Sequence, residues 1–228
     1  PFFTLTNRAK FVGDFKNFSN LSNNGFGEQV QNIAGGTVTA FVEDLNKDGK
    51  NELILGSFEE RSTNIGPMQP KILLNKGNGQ FNSSSILNLP YFYPNDEIGL
   101  CIQDAVFDDI NGDGLKDIIA VNDQVYKNPP RFAPWDIYAY IQQPDGSFVI
   151  DKTIFTYTIN SVRQGGWKPR LVYFDFNGDG KKDISYKDAA DNGELKSKSV
   201  FIRTGNKFIE TDYFQFDPYA KSIFNLIK

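Results

Sequence analysis

The sequence predicts an all-β protein built from repeated four-stranded antiparallel sheets, and three observations predict it. An acidic nine-residue pattern occurs three times at a nearly constant spacing, as DLNKDGKNE at 44–52, DINGDGLKD at 109–117 and DFNGDGKKD at 175–183. Short segments of alternating polarity flank each copy. Aromatic residues are abundant, with 21 Phe and 10 Tyr among 228 residues, and such enrichment is typical of sheets. A pattern that returns at a fixed period indicates one structural unit used several times.

The flanks of each acidic copy have the character of strands. The segments before the copies are 39–43, 104–108 and 170–174, and the segments after them are 53–55, 118–121 and 184–186. Their alternation and their β-branched and aromatic residues favour extended structure over helix. Each acidic copy is therefore predicted to be a loop that joins two strands. We call the copies loop 1 (44–52), loop 2 (109–117) and loop 3 (175–183).

A second pattern follows each loop and completes the repeat. The segments 71–81, 136–148 and 199–208 each contain an apolar stretch, a turn rich in Gly, Asn or Asp, and a second stretch that ends in Phe. This order is typical of a β-hairpin. Each repeat is thus predicted to be a meander of four strands, A to D. The acidic loop joins A to B, a long connection joins B to C, and a tight turn joins C to D.

Each loop places oxygen-bearing side chains at alternate positions. Positions 1, 3 and 5 are Asp44, Asn46 and Asp48 in loop 1, Asp109, Asn111 and Asp113 in loop 2, and Asp175, Asn177 and Asp179 in loop 3. Position 6 is glycine, the carbonyl of position 7 belongs to Lys50, Leu115 or Lys181, and position 9 is Glu52, Asp117 or Asp183. Calcium takes about six to eight oxygen ligands from a flexible loop. The sequence therefore predicts about three calcium ions, one in each loop.

Two features limit this interpretation. Position 12, where an EF-hand loop carries a bidentate Glu, holds Leu55, Ala120 and Tyr186, so the loops are not EF-hands. Loop 1 is the weakest candidate, because its position 9 is Glu52 instead of Asp and Lys47 replaces a glycine. The alternative is that all three are acidic turns without metal, since Asp, Asn and Gly are common turn residues.

Composition excludes several classes of function. The chain has no histidine, which removes Ser-His-Asp catalysis and imidazole metal ligands. Its net charge of −4 argues against nucleic acid as a partner, because phosphate binding requires a concentrated basic surface. The single cysteine cannot form an internal disulfide. No segment approaches the roughly 20 apolar residues of a membrane span. We therefore expect no catalytic residue and no enzyme activity.

The three loops and their hairpins resemble the FG-GAP/VCBS repeat family, whose loops follow D-x-[DN]-x-D-G-x-x-D. The resemblance extends over residues 38–211 and departs from the pattern at Glu52. It implies a β-propeller like that of integrin α-subunits, with a calcium ion in each A–B loop. The implied blades are 37–87, 101–155 and 168–213, and 1–36 and 214–228 are assigned to neighbouring blades or closing strands. Propellers typically have about four to eight blades, so we expect a propeller segment or an assembly that shares blades.

The meander places the acidic loops on one face and the long connections on the opposite face. These connections are 57–69 and 122–135 within repeats, and 88–100 and 157–168 between repeats. They carry aromatic and arginine residues of the kind that anchor recognition surfaces: Tyr91, Tyr93, Arg131, Trp135, Arg163 and Trp167. The alternative for these side chains is packing between adjacent repeats.

The sequence therefore favours a non-catalytic, calcium-binding recognition or adhesion module of a secreted or cell-surface protein. It would bind protein or glycan through the long connections. Calcium binding implies an extracellular location, because modules that bind calcium weakly, with Kd of about 10⁻⁴–10⁻³ M, are filled only where calcium is abundant. One alternative is an architectural unit that assembles with other copies or continues into a larger propeller. The other is the propeller part of a carbohydrate-active enzyme that uses paired carboxylates.

Overall fold

A computed structural model describes residues 8–9, 13–14, 36–37, 39–56, 70–77, 85–90, 98–127, 130–132, 135–159, 169–187 and 199–212. These residues form three antiparallel sheets and a small two-stranded ribbon. The prediction of an all-β chain with four-stranded antiparallel repeats is confirmed. Within these ranges no helix has the length and apolar character that would be needed to cross a membrane.

The first sheet, which we call blade 1, has five strands. They are β1 (Arg8–Ala9), β4 (Ala40–Glu43), β5 (Glu52–Leu55), β6 (Lys71–Leu73) and β7 (Ile86–Asn88), paired in that order. The ribbon pairs β2 (Gly13–Asp14) with β3 (Gly36–Thr37). Strand β1 lies against the outer edge of β4, with Arg8 opposite Phe41. The segment before the first repeat therefore contributes a strand to this blade.

The second sheet, blade 2, has the longest strands. They are β8 (Ile98–Asp108), β9 (Asp117–Lys127), β10 (Pro130–Phe132), β11 (Trp135–Gln142), β12 (Phe148–Ile150) and β13 (Thr156–Ile159). Strand β9 lies between β8 and β11, and its end also pairs with β10. The outer edge of β11 is shared, because β12 pairs with its second half and β13 with its first half.

The third sheet, blade 3, is the simplest meander. It consists of β14 (Arg170–Phe174), β15 (Asp183–Lys187), β16 (Ser199–Thr204) and β17 (Lys207–Asp212), each paired with the next. In blades 2 and 3 the predicted hairpins are β11–β12 and β16–β17. In blade 1 the partner of β6 is β7, and Phe81 lies outside the described residues.

Parts of the predicted long connections are strands. The prediction of a connection over 122–135 is wrong for 122–127, 130–132 and 135, which belong to β9, β10 and β11. The predictions over 88–100 and 157–168 are wrong for 88, 98–100 and 157–159, which belong to β7, β8 and β13. Residues 122–124 are all polar, as is typical of a loop. In the fold they extend a hairpin in which Asn122 pairs with Ile102 and Tyr126 with Ile98. Pairing with a long partner strand thus outweighs a weak local preference.

The core lies between the faces of successive blades. On β9, Ile118 and Ala120 pack in the cluster shared with blade 1, whereas Ile119 and Val121 pack in the cluster shared with blade 3. This alternation follows from the two-residue period of a strand. Blade 2 is therefore apolar on both faces, and the acidic loops all leave the same end of the stacked sheets.

Blades 1 and 2 approach each other closely at one backbone contact. The amide nitrogen of Ile102 donates to the carbonyl of Gly56 at 2.7 Å. A Cβ added at Gly56 would lie 1.9 Å from the Thr39 hydroxyl oxygen and 2.4 Å from the Ile102 carbonyl oxygen. Only glycine fits at this place, because a larger residue would push the two blades apart.

Candidate metal loops

The three acidic loops follow the same backbone path. Each connects strands A and B of its blade, and each turns through residues with positive φ at positions 4 and 6. These residues are Lys47, Gly112 and Gly178 at position 4, with φ of 60°, 83° and 77°, and Gly49, Gly114 and Gly180 at position 6, with φ of 81°, 87° and 86°. Glycine adopts this conformation freely, whereas other residues rarely do. The glycines of the pattern therefore have a direct structural reason.

The position 1 carboxylate closes each loop onto its own backbone. Asp109 accepts hydrogen bonds from the amides of Gly112 at 2.7 Å and Gly114 at 2.9 Å. The equivalent distances from Asp175 are also 2.7 and 2.9 Å. In loop 1, Asp44 accepts from Asp48 and Gly49 at 3.1 and 3.0 Å instead. All three loops are thus closed by the position 6 amide, and in loop 1 the second bond comes from position 5 instead of position 4.

Positions 3 and 5 form successive side-chain turns. In loop 2 the side-chain oxygen of Asn111 accepts from the amide of Asp113 at 2.9 Å, and Asp113 accepts from Leu115 at 2.7 Å. Loops 1 and 3 repeat both bonds at distances between 2.8 and 3.0 Å. These bonds are those of Asx turns. They bring the oxygen atoms of positions 1, 3 and 5 back towards the loop, where each retains a further lone pair.

The position 9 acid links its loop to strand C of the same blade. Glu52, Asp117 and Asp183 are each 0% exposed. Asp117 accepts from the amide of Ile110 in the loop at 2.8 Å and from the amide of Gln142 in β11 at 2.9 Å. In loop 3, Asp183 accepts from Phe176 and Arg203, both at 2.8 Å. Glu52 accepts from Leu45 at 2.9 Å and from Asn75 at 3.4 Å.

Burial dominates the electrostatics of these three acids. Desolvation raises the pKa of Glu52, Asp117 and Asp183 above the ordinary carboxyl values, and the hydrogen bonds from backbone amides offset part of that rise. Nearby carboxylates of the same loop raise the pKa further. A divalent cation at the loop would act in the opposite direction, because a nearby positive charge favours the ionised carboxylate.

Sequence reasoning missed two sets of residues that shape the loops. The first is position 2, where Leu45, Ile110 and Phe176 are 2%, 1% and 9% exposed and anchor the loop in the core. Its signal was visible, because position 2 is the one position that is apolar in all three loops. The second is the residue at the end of strand C, or in blade 1 two residues beyond it, whose amide binds the position 9 acid: Asn75, Gln142 and Arg203. These three share no residue type, so the sequence carried no signal for them.

Loop 2 contacts both neighbouring blades. The Lys47 ammonium group of loop 1 donates to the carbonyl of Gly114. From blade 3, the guanidinium of Arg203 donates to the carbonyls of Asp109 and Ile110. The acid that precedes each of the first two loops is also bound by the next blade, since Glu43 pairs with Lys116 and Asp108 accepts from the Tyr173 hydroxyl at 2.8 Å.

The donor set of the loops fits a hard cation. Positions 1, 3 and 5 offer carboxylate and amide oxygens, and positions 3 to 8 are exposed in loops 1 and 3 and exposed or half-buried in loop 2. Within the residues that the structure describes, no three acidic or cysteine side chains are grouped closely enough to hold a metal ion. The side-chain oxygens at positions 1, 3 and 5 accept hydrogen bonds from backbone amides, and the position 9 acid is turned towards strand C. Positions 1, 3 and 5 with the carbonyl of position 7 are therefore the ligands most accessible to a cation, and calcium binding stays a prediction.

The predicted ligand-binding side chains fall into two groups. Tyr91, Tyr93, Arg163 and Trp167 lie outside the described residues, and for Arg131 the structure describes the backbone, which pairs with Tyr126 in the β10–β9 hairpin. Trp135 is 4% exposed and packs in the core between blades 2 and 3. The prediction of Trp135 as a surface anchor is wrong, because Trp135 begins β11 and its ring fills the interface between sheets.

Comparison with known protein families finds a match to the FG-GAP-like repeat over residues 109–185. The matched segment begins at the first residue of loop 2 and ends two residues beyond loop 3, so it contains both glycine-rich loops and the strands between them. No curated protein matches the chain. The resemblance to FG-GAP repeats is thereby confirmed.

Proposed function

Because the chain carries an FG-GAP-like repeat, we propose that it is a non-catalytic, calcium-stabilised recognition module of a secreted or cell-surface protein. In this proposal each of the three loops binds one calcium ion and holds the ends of strands A and B. Protein or glycan ligands bind on the opposite face, through the connections between strands B and C and between blades.

The observation that carries the calcium part is the common geometry of the loops. Three segments with different flanking sequences adopt one curl, with the same oxygen-bearing positions turned back on the loop. Each loop contains three acidic residues within nine positions. Their mutual repulsion disfavours the curl without a counter-ion. A bound calcium ion removes that repulsion, which supports calcium over a metal-free turn.

The extracellular part follows from the kind of site that the loops would form. Positions 3 to 8 are exposed in loops 1 and 3 and exposed or half-buried in loop 2, and the position 9 acid accepts hydrogen bonds from backbone amides. Sites with few strong ligands bind calcium weakly, with Kd of about 10⁻⁴–10⁻³ M in extracellular modules. Such sites are filled outside cells, where calcium is at millimolar concentration.

Thermal unfolding of the 228-residue chain in calcium and in excess chelator tests the proposal. At free calcium about ten times Kd, each ion stabilises the fold by about 1.4 kcal/mol, so three ions raise Tm by roughly 10 °C in a chain of this size. Native mass spectrometry should find about three bound ions. Asp109→Asn should remove one of them, whereas Asp145→Asn, in the exposed β11–β12 turn, should remove none. Absence of bound calcium together with an unchanged Tm would contradict the proposal.

A specific observation favours the architectural alternative as a second candidate. In blades 1 and 2 the residue directly before the acidic loop, Glu43 or Asp108, contacts the blade that follows. In blade 3 this residue is Phe174, which is 36% exposed and packs edge-on against Phe176. An apolar side chain at a position used for blade-to-blade contact supports a further packing partner, such as a second copy.

Sedimentation velocity distinguishes this second candidate. If copies assemble through blade 3, the chain should self-associate, and Phe174→Asp should return it to a monomer. Ile209→Asp is the matched control, because Ile209 is 55% exposed on β17 but is not at the position that contacts a next blade. A chain that is monomeric at high concentration, or variants that behave alike, would argue against assembly through this face.

A further inference from the structure

Arg203 connects loop 3 with loop 2 across the interface between blades. It lies in β16, and its amide donates to the position 9 carboxylate of loop 3, Asp183, at 2.8 Å. One terminal nitrogen of its guanidinium reaches blade 2 and donates to the carbonyl oxygens of Asp109 at 2.6 Å and Ile110 at 2.8 Å. A single residue of strand C thus contacts both loops, one through its backbone and the other through its side chain.

The equivalent residues of blades 1 and 2 show which part of this contact is special. Asn75 and Gln142 also donate their amides to the position 9 acid of their own blade. The side chain of Asn75 stays in blade 1, where it donates to the carbonyl of Asn51 at 3.0 Å. The bond from the Arg203 amide to the position 9 acid therefore has an equivalent in the other two blades. The bonds from its side chain to the neighbouring loop occur in addition to it.

The two carbonyls that Arg203 binds belong to positions 1 and 2 of loop 2. Ile110 is buried at 1% exposure, and the backbone of Asp109 carries the carboxylate that closes the loop onto Gly112 and Gly114. Fixing both carbonyls fixes the direction in which that carboxylate projects. The contact is partly buried. Hydrogen bonds from a charged donor are roughly twice as strong as those between neutral groups.

Arg203 has two opposing effects on a cation at loop 2. Its positive charge repels a divalent ion, whereas its hydrogen bonds hold the loop in the form that the ion requires. The repulsion is limited, since the three carboxylates of Asp109, Asp113 and Asp117 outnumber the two cations beside the loop, Arg203 and the Lys47 ammonium group. The same charge also lowers the pKa of Asp179 in loop 3, although the chief cause there is the hydrogen bond from the amide of Lys181. The guanidinium therefore lies within electrostatic reach of both loops.

We propose that Arg203 is a positioning residue for loop 2, which it holds in the curled, cation-ready form in the absence of metal. The inference rests on the proposed calcium binding for its purpose, but the clamp itself is a property of the protein alone. Geometry carries the effect rather than charge. A lysine, whose ammonium nitrogen lies one atom closer to the backbone than the terminal nitrogens of arginine, should therefore fail to reach both carbonyls.

Hydrogen exchange of the full chain in excess chelator tests the clamp, and Arg170→Gln is the matched control. Arg170 also crosses from blade 3 to blade 2, where it donates to the carbonyl of Gln103 at 3.3 Å, away from the loops. Loss of a charged hydrogen bond is expected to speed exchange in peptides covering 109–115 by roughly tenfold. Arg203→Gln and Arg203→Lys should both show this increase, and Arg170→Gln should leave these peptides unchanged.

Calcium titration of the same variants connects the clamp to binding. Arg203→Gln and Arg203→Lys should weaken one site by roughly tenfold and leave the bound stoichiometry of the other loops unchanged. Unchanged exchange in Arg203→Gln, or tighter calcium binding by it, would overturn the positioning role, the latter because repulsion would then dominate. If the unsubstituted chain binds no calcium while Arg203→Gln still speeds exchange, the positioning role is supported and the proposed function is the part that fails.

Discussion

Loops 1 and 2 reach one backbone shape with different residues at two positions. Position 4 is Lys47 in loop 1 and Gly112 in loop 2, yet both residues have positive φ. Position 9 is Glu52 in loop 1 and Asp117 in loop 2, yet both are fully buried and both bind strand C. The comparison teaches that the shape is set by the fold around the loop, and that the residues determine how much strain the loop contains.

The geometry shows how these two differences weaken loop 1 relative to loop 2. The longer side chain of Glu52 reaches the amide of Asn75 at 3.4 Å, whereas Asp117 reaches Gln142 at 2.9 Å and accepts a third bond from Asn111 at 3.3 Å. A left-handed conformation costs a residue other than glycine about 1–2 kcal/mol. Loop 1 should therefore be both less firmly anchored and more strained than loop 2.

The largest difference between the loops should appear when the position 9 acid is neutralised without a change of shape. In Asp117→Asn an amide group would face backbone N–H donors, so at least one buried bond is lost, and we expect a loss of about 3 kcal/mol in the free energy of unfolding. Glu52→Gln should lose roughly half as much, because one of its bonds is already long. Urea unfolding in excess chelator measures both without any contribution from bound metal.

Asp145→Asn is the control for this pair, since Asp145 is an exposed turn residue and surface changes stay within about 0.5 kcal/mol. Equal losses for Asp117→Asn and Glu52→Gln would mean that the 3.4 Å contact is as effective as the shorter ones. The order of anchoring inferred from the distances would then be wrong.

The same comparison shows how far the sequence could be read. The acidic pattern predicted the three loops, the strands that flank them and the turn role of the position 6 glycines, because these are local properties. The links from position 9 to Asn75, Gln142 and Arg203 could not be predicted, since they use backbone amides that any residue supplies. Trp135 was misplaced for a related reason: an aromatic ring in a polar, proline-rich segment suits a surface or an interface equally well, and only the stacking of blades decides.

Exchanging the residues at position 4 gives the smaller effect and separates strain from contact. Lys47→Gly removes the left-handed strain but also removes the hydrogen bond to the Gly114 carbonyl, which is exposed and is expected to contribute only a few tenths of a kcal/mol. We therefore expect a net gain of about 0.5–1 kcal/mol, or roughly 2 °C in Tm. Gly112→Lys should lose about 1–2 kcal/mol.

Lys47→Ala is the control, because it removes the contact and keeps the strain, so it should be no more stable than the unsubstituted chain. If Lys47→Gly lowers Tm instead, the bond between loops 1 and 2 outweighs the strain, and Lys47 is held in its conformation by its partner in the neighbouring blade.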